Sequence, residues 1–252
     1  LRNLRKNCLD WSWPCRFLVW DGATLARKDH AVAPRAWMLS RGAVDTGKER
    51  AAMVEHQLRR RGIGDTRVLA AMSEVPREAF VPEALKASAY ADGALPLSHG
   101  QTISQPLMVA MSVEALELQG HETVLEIGAG SGYQAAVLSR LAKKVYAIEI
   151  IPELVEDARR VLDSLGVENV ELLCADGRKG WPEGAPYDGI VVAAAAEEVP
   201  PALIEQLREG GRLVIPVGGK WGQSLQTLRK RGDKLETEDL CRCVFVPLVY
   251  GS

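Results

Sequence analysis

An α/β fold with a doubly wound, mostly parallel sheet is predicted from three observations. A largely apolar run at 124–127 stops at Gly128-Ala-Gly-Ser-Gly132, and a helix-like pattern follows over 133–141, which reads as strand, tight turn and helix start. Short apolar runs then alternate strictly with amphipathic stretches as far as residue 216, the signature of strand–helix repeats. Finally, Glu149 and Asp176-Gly177 fall where the second and third runs end, and sheets of this kind bind ligands beyond the carboxyl ends of their strands.

Residues 1–46 look foreign to the rest. They hold four of the six tryptophans and keep neither helical nor strand period for long. Arg16 interrupts the apolar stretch after Arg2, Arg5 and Lys6, so no secretory signal is read. Asp10, Asp21 and Asp29 argue against a transit peptide, and a poorly ordered extension is expected. The ordered unit is placed at 47–252. Of this, 47–118 forms a helical cap and substrate loop, and 119–252 forms a cofactor-binding core with the C-terminal strands.

Within the cap, Ala52, Met53 and Leu58 suit one face of a helix that carries Arg59, Arg60 and Arg61 outward and ends at Gly62 and Gly64. The arginines read as a solvated helix end beside the dipole's negative pole. Thr66 is expected to cap a second helix carrying Val68, Leu69 and Met72, closed by Pro76, and 82–87 a third short one. An irregular segment, 92–106, comes next; Gly/Pro-punctuated loops of this length are frequently functional. Ser104, two residues before Pro106, has the spacing of an N-cap for a helix running to about 118. His99 has no visible partner and reads as an ordinary loop histidine.

In the core, Lys144 to Glu149 is the second strand, and Pro152 opens a helix that stops at Gly166. Strands at 170–174, 190–192 and 212–216 follow, with a helix at 200–207 before the last. The tail alternates in strand fashion over 224–231 and 240–246 around Arg231-Gly-Asp-Lys234, a hairpin signal, so the sheet should finish antiparallel.

Composition narrows the function. A net charge of -2 implies no general role on polyanions, so no nucleic acid is expected as partner. No apolar run approaches the roughly 18 residues needed to span a membrane. Five cysteines at irregular spacing, including Cys241-x-Cys243, fit a reducing compartment better than a disulfide framework, and the spacing is not that of a zinc site. A cytoplasmic protein without metal is expected.

The glycine spacing separates nucleotide classes. Dinucleotide sites use Gly-x-Gly-x-x-Gly, whereas this chain has Gly128-x-Gly130-x-Gly132 preceded by Glu126. Glycines permit φ > 0 and let a ligand press against backbone N–H groups. An acid beside the loop disfavours pyrophosphate and suits a cofactor with a positive centre and no phosphate, such as S-adenosyl-L-methionine. Glu149 is placed to accept from a ribose diol.

Several stretches together resemble the protein-L-isoaspartate O-methyltransferase family of the bacterial type. They are Leu95-Pro96, His99-Gly-Gln-Thr-Ile-Ser-Gln-Pro106, Val124-Leu-Glu-Ile-Gly-Ala-Gly-Ser-Gly-Tyr-Gln134, Asp176-Gly177, Gly210-Gly-Arg-Leu-Val-Ile-Pro-Val-Gly218 and Phe245-Val-Pro-Leu248. The likeness is collinear over about 53–249, and the Gly-Gln-Thr-Ile-Ser-Gln-Pro stretch is far more specific than the glycine loop. The resemblance implies a Rossmann-like methyltransferase fold and a repair enzyme that methylates the α-carboxylate of isoaspartyl residues in ageing proteins. It implies Ser104 as the catalytic residue. Glu126, Gly128, Gly130, Gly132, Glu149, Asp176 and Gly177 would hold the cofactor, with Thr102, Ile103 and Ser104 contributing from the loop. A monomer acting on isoaspartyl proteins and peptides is expected. The chain departs from the family's pattern at Ala193, Val109 and Val249, where relatives carry threonine or histidine. Two alternatives stay open: another methyltransferase of the same core, and a non-catalytic module that keeps the cofactor pocket. An NAD-dependent oxidoreductase is disfavoured by the glycine spacing.

Overall fold

The structure is a computed structural model that describes residues 45–219, 222–232 and 234–249. Nearly all of the expected N-terminal extension therefore lies outside the described residues. The first described residue, Asp45, caps α1 (Thr46–Ala52) by accepting from the Lys48 N–H at 3.2 Å. α1 runs on into a π-helical turn, Met53–Leu58, and a 3-10 turn, Arg59–Arg61, and stops at Gly62 with φ +102°. That left-handed conformation is the stop the glycine was expected to supply. The arginine triplet is split: Arg59 and Arg60 pair with Glu55, whereas Arg61 forks onto Asp92 at 2.8 and 2.9 Å.

α2 (Thr66–Glu74) is capped by Asp65, not Thr66; the Asp65 carboxylate accepts from Arg67 N–H at 2.8 Å, a stronger acceptor than a hydroxyl. Two 3-10 turns follow, Arg77–Phe80 and Glu83–Ser88. The segment expected to be irregular contains a small hairpin. β1 (Leu95–Pro96) pairs antiparallel with β2 (Thr102–Ile103), and His99 and Gly100 turn the corner at φ +57° and +69°. α3 (Pro106–Ala115) then plunges into the interior, with Leu107, Val109, Ala110, Met111, Val113 and Ala115 all buried.

The sheet has seven strands in the order β5-β4-β3-β6-β7-β8-β9. They are β3 (Thr123–Ile127), β4 (Lys144–Glu149), β5 (Val170–Cys174), β6 (Tyr187–Val192), β7 (Leu207–Gly219), β8 (Gly222–Arg231) and β9 (Lys234–Cys243). The first five pair parallel; β7–β8 and β8–β9 are antiparallel, as expected for the tail. β9 starts directly after the turn at Gly232, so the last strand lies earlier than 240–246. Residues beyond it cross the sheet's end instead, where Pro247 bridges to Ala195. Helices α4 (Tyr133–Ser139), α5 (Pro152–Ser164) and α6 (Pro201–Gln206) connect the parallel strands.

Alternation along the strands divides the core. Val124, Val145, Val191 and Val214 face the cap, where they share one apolar cluster with Met53, Leu58, Met72, Phe80 and Leu107. Leu125, Ile127, Ile148, Ile190 and Leu213 fill the other face. The chain enters the sheet at β3, the middle of the five parallel strands, moves outward through β4 and β5, and returns to β6 on β3's other side. The carboxyl end of β3 is therefore the switch point at which a cleft must open.

Candidate active site

The cleft lies at that switch point. Its floor is the turn 128–130 with the tips of β3 and β4; its roof is 101–104 and the chain end 246–249.

The glycine turn adopts positive φ at Gly128 (+82°), Gly130 (+53°) and Gly132 (+83°), as its sequence demands. Its N–H groups do something other than expected. Gly128 and Ala129 donate to the Ile148 carbonyl at 2.8 and 3.0 Å, Gly132 donates to Ala129, and Gly130 donates to Glu149 Oε2 at 2.8 Å. With these donors spent inside the protein, the turn makes room for a ligand without offering a cradle for phosphate. Gly128 and Gly130 line the cleft. Gly132 instead serves packing, since a Cβ there would stand 3.1 Å from the Ala158 Cβ on α5.

Glu149 ends β4, almost fully buried. Besides Gly130, its carboxylate accepts from the Ile150 and Ile151 N–H groups at 2.8 and 3.0 Å, so it clasps the glycine turn to the strand tip at the cleft wall. Glu126 is fully buried on β3. Two residues on from Val124, it points to the α4 face, where Gln134 Nε2 donates to its Oε1 at 3.0 Å. Its Oε2 lines up no partner among the described residues. Burial raises its pKa to about 8, against the Gln134 hydrogen bond and with some help from the Glu149 charge. A buried acceptor left open on the cleft is what a cationic ligand group would satisfy, so the residues present fit a cofactor carrying an ammonium and a sulfonium.

Asp176 and Gly177 divide their work. Asp176 caps the 3-10 turn Gly177–Lys179 and takes the Arg178 guanidinium at 2.6 and 3.1 Å, which holds its carboxyl below the usual range. Gly177 lines the cleft beside it, and a Cβ there would strike Ile127 Cγ2 at 2.3 Å, so no larger residue fits.

From the roof, Thr102, Ile103 and Ser104 all reach the cleft. The helix cap that Ser104's spacing suggested is not made: the N-cap position of α3 falls on Gln105. The Ser104 hydroxyl has no hydrogen-bond partner among the described residues, while its carbonyl accepts from Arg77. The hairpin lies on the glycine turn, with Leu97 Cδ1 3.9 Å from where a Gly130 Cβ would be. His99 is exposed at the hairpin tip, outside the cleft. Val109, Ala193 and Val249, the three departures, are all cleft wall, so they make it drier rather than more polar.

Two residues at the site have no counterpart in the sequence reading. Gln134, which tethers Glu126, carries no signal beyond following the glycine loop. Arg77 does: a cation between Val75-Pro76 and Phe80-Val81 is a charge set in an apolar frame, and it proves completely buried.

The sequence model of the Protein-L-isoaspartate(D-aspartate) O-methyltransferase (PCMT) family matches residues 48–252. The protein-L-isoaspartate O-methyltransferase of Methanoculleus marisnigri is 52% identical over 202 residues, covering 80% of this chain and 92% of that protein. Its namesake from Roseiflexus sp. is 53% identical over 208 residues, covering 82% and 95%. A solved protein-L-isoaspartate O-methyltransferase superposes with TM-score 0.73 at 33% identity, covering 80% of this chain and 66% of that one. A Plasmodium falciparum structure described as of the same class, in complex with S-adenosyl-L-homocysteine, gives TM-score 0.68 at 26% identity over 79% and 98%.

Proposed function

The chain belongs to the protein-L-isoaspartate O-methyltransferase family, and on that premise we propose how its cleft works. Its activity is transfer of the methyl group of S-adenosyl-L-methionine to the α-carboxylate of isoaspartyl residues in damaged proteins. The bound cofactor supplies an electrophilic methyl group on a sulfonium. Gly128 and Gly130 leave it room, Glu149 fixes the turn and stands where a ribose would lie, and Gly177 keeps the floor low. The open Oε2 of Glu126 would receive its positively charged end. Thr102 and Ile103 close the roof; Asp176 and Gly132 act one step back, as a turn cap and a helix contact.

The substrate carboxylate is ionised near neutrality, with a pKa about 4, and is its own nucleophile. The site then needs no general base, which agrees with His99 standing outside it. Ser104 orients the attacking oxygen through its uncommitted hydroxyl. It must hold that oxygen loosely, since the negative charge is consumed in the transition state. Val109, Ala193 and Val249 exclude water around the reacting atoms, which favours neutralisation of opposite charges. The observation that carries this reading is that Ser104, whose hydroxyl has no partner among the described residues, and Glu126, whose buried Oε2 is open, line the same cleft.

Labelled methyl transfer to an isoaspartyl peptide, with its aspartyl counterpart as control, tests it. The isoaspartyl peptide alone should take label; equal labelling of both, or of neither, overturns the reading.

We assign the methyltransferase unit to 47–252, with 47–118 supplying the cap and roof and 119–252 the cofactor floor. The finer part of the proposal is a monomer at work in the cytoplasm. Cys174 and Cys243 are free thiols, in keeping with a reducing compartment. Among the described residues only Val244 and Val249 are large exposed apolar side chains, too few for a subunit interface. Light scattering should give the 27.5 kDa of one chain; twice that mass would count against the monomer.

A further inference from the structure

Ser104 is held through its own carbonyl on one side and through the side chain of the next residue, Gln105, on the other, while its hydroxyl stays uncommitted. On one side stands Arg77, fully buried at the start of its 3-10 turn. Its Nε donates to the Ala89 carbonyl at 2.7 Å and its Nη2 to the Ser104 carbonyl at 2.9 Å. The guanidinium carbon lies 4.9 Å from the Tyr133 ring centroid, within cation–π range. One side chain thus joins the cap, the exit of the roof hairpin and the helix that leaves the glycine turn. On the other side Gln105 Nε2 donates to Asp92 Oδ1 at 2.6 Å, and Asp92 is itself forked by Arg61.

Burying a cation costs several kcal/mol, and an apolar side chain of similar volume would often fill such a space at no loss of stability. Arg77 Nη1 even lacks a partner among the described residues. Stability is therefore a weak reason for an arginine here. Its planar fork does what no apolar residue does: it fixes two carbonyls of separate segments in one geometry.

We propose that Arg77 and Asp92 clamp the Ser104 peptide from either side and so set the position of its hydroxyl for methyl transfer. They are positioning residues that touch neither substrate nor cofactor, and the clamp rests on the reading of Ser104 given above. A displacement of about 1 Å in a reacting geometry can cost on the order of a hundredfold in rate, so loosening either arm should register in turnover.

The test is steady-state turnover of an isoaspartyl peptide by Arg77→Lys and Asp92→Asn, each in the wild-type and the Ser104→Ala backgrounds. S-adenosyl-L-homocysteine affinity and thermal unfolding are measured alongside. Arg77→Lys should lower kcat about tenfold and Asp92→Asn about threefold, with cofactor affinity changed by less than about twofold. In the Ser104→Ala background neither should lower kcat further by more than about twofold, because each acts through Ser104. Equal losses in both backgrounds would overturn the clamp, as would a lowered unfolding temperature with kcat intact below it. Asp92 is half exposed, so its variant decides the matter even where Arg77→Lys fails to fold. An inert Ser104→Ala, by contrast, would remove the role of Ser104 itself and the clamp with it.

Discussion

On the floor of the cleft most working groups come from one short stretch of chain, 126–151, and Glu126 and Glu149 are held by hydrogen bonds from within that stretch. Gly130, Ile150 and Ile151 N–H groups converge on Glu149, and Gln134 holds Glu126. On the roof, Ser104 is held by Arg77 and, through Gln105, by Asp92, and the apolar wall is gathered from Val109, Ala193 and Val249. A floor of local bonds on adjacent parallel strands is rigid before anything binds. A roof made of a two-residue-per-strand hairpin and distant anchors is where geometry, rather than affinity, is set. The comparison teaches a division of labour: lesions in the floor should change binding, and lesions in the roof should change turnover.

Glu149→Ala is the strongest way to break that division. It strips the acceptor from three N–H groups, each costing about 1–3 kcal/mol if left unsatisfied, so cofactor affinity should fall roughly tenfold to a hundredfold. At saturating cofactor kcat should return to near the wild-type value; a calorimetric titration with unchanged affinity would refute the role given to the floor. Ser104→Ala is the mirror experiment. It should lower kcat by about tenfold, the worth of one oriented hydrogen bond, and leave cofactor affinity untouched. Loss of cofactor binding in that variant would merge the two walls into one.

The smallest effect concerns Glu126. Its folded pKa of about 8 lies above the unfolded value of about 4.3. The stability it contributes is therefore complete below about pH 4 and is lost as pH rises through about 8. A cationic group at Oε2 favours the ionised form, so binding at neutral pH should release up to about one proton, and affinity should rise from pH 6 to 8. Calorimetry in buffers of different ionisation enthalpy reads the proton. Glu126→Gln should abolish the release and flatten the stability profile, and a release that survives the substitution would assign it to another group.

Much of this is legible in the sequence alone. The strand–helix alternation, the glycine turn, Glu149 at a strand tip and the antiparallel finish all follow from patterns a few residues long, and such patterns are what local backbone sterics impose. The misreadings share a cause. Ser104 has the spacing of an N-cap, and the 92–106 segment has the composition of an irregular loop, because local chemistry permits both outcomes. Which one holds depends on distant partners such as Arg77, 27 residues upstream, whose guanidinium donates to the Ser104 carbonyl.

By itself, then, the sequence determined the order of the elements, the class of cofactor implied by Glu126 and the glycine spacing, and the residues from which a site would be chosen. Tertiary structure alone decided what those residues are free to do. It spent the glycine N–H groups on β4, left one oxygen of Glu126 open, committed Asp176 to Arg178, and released the Ser104 hydroxyl by anchoring its carbonyl elsewhere. The physical reason is one of accounting: each donor and acceptor has a limited number of partners, and only the folded chain shows which are already taken.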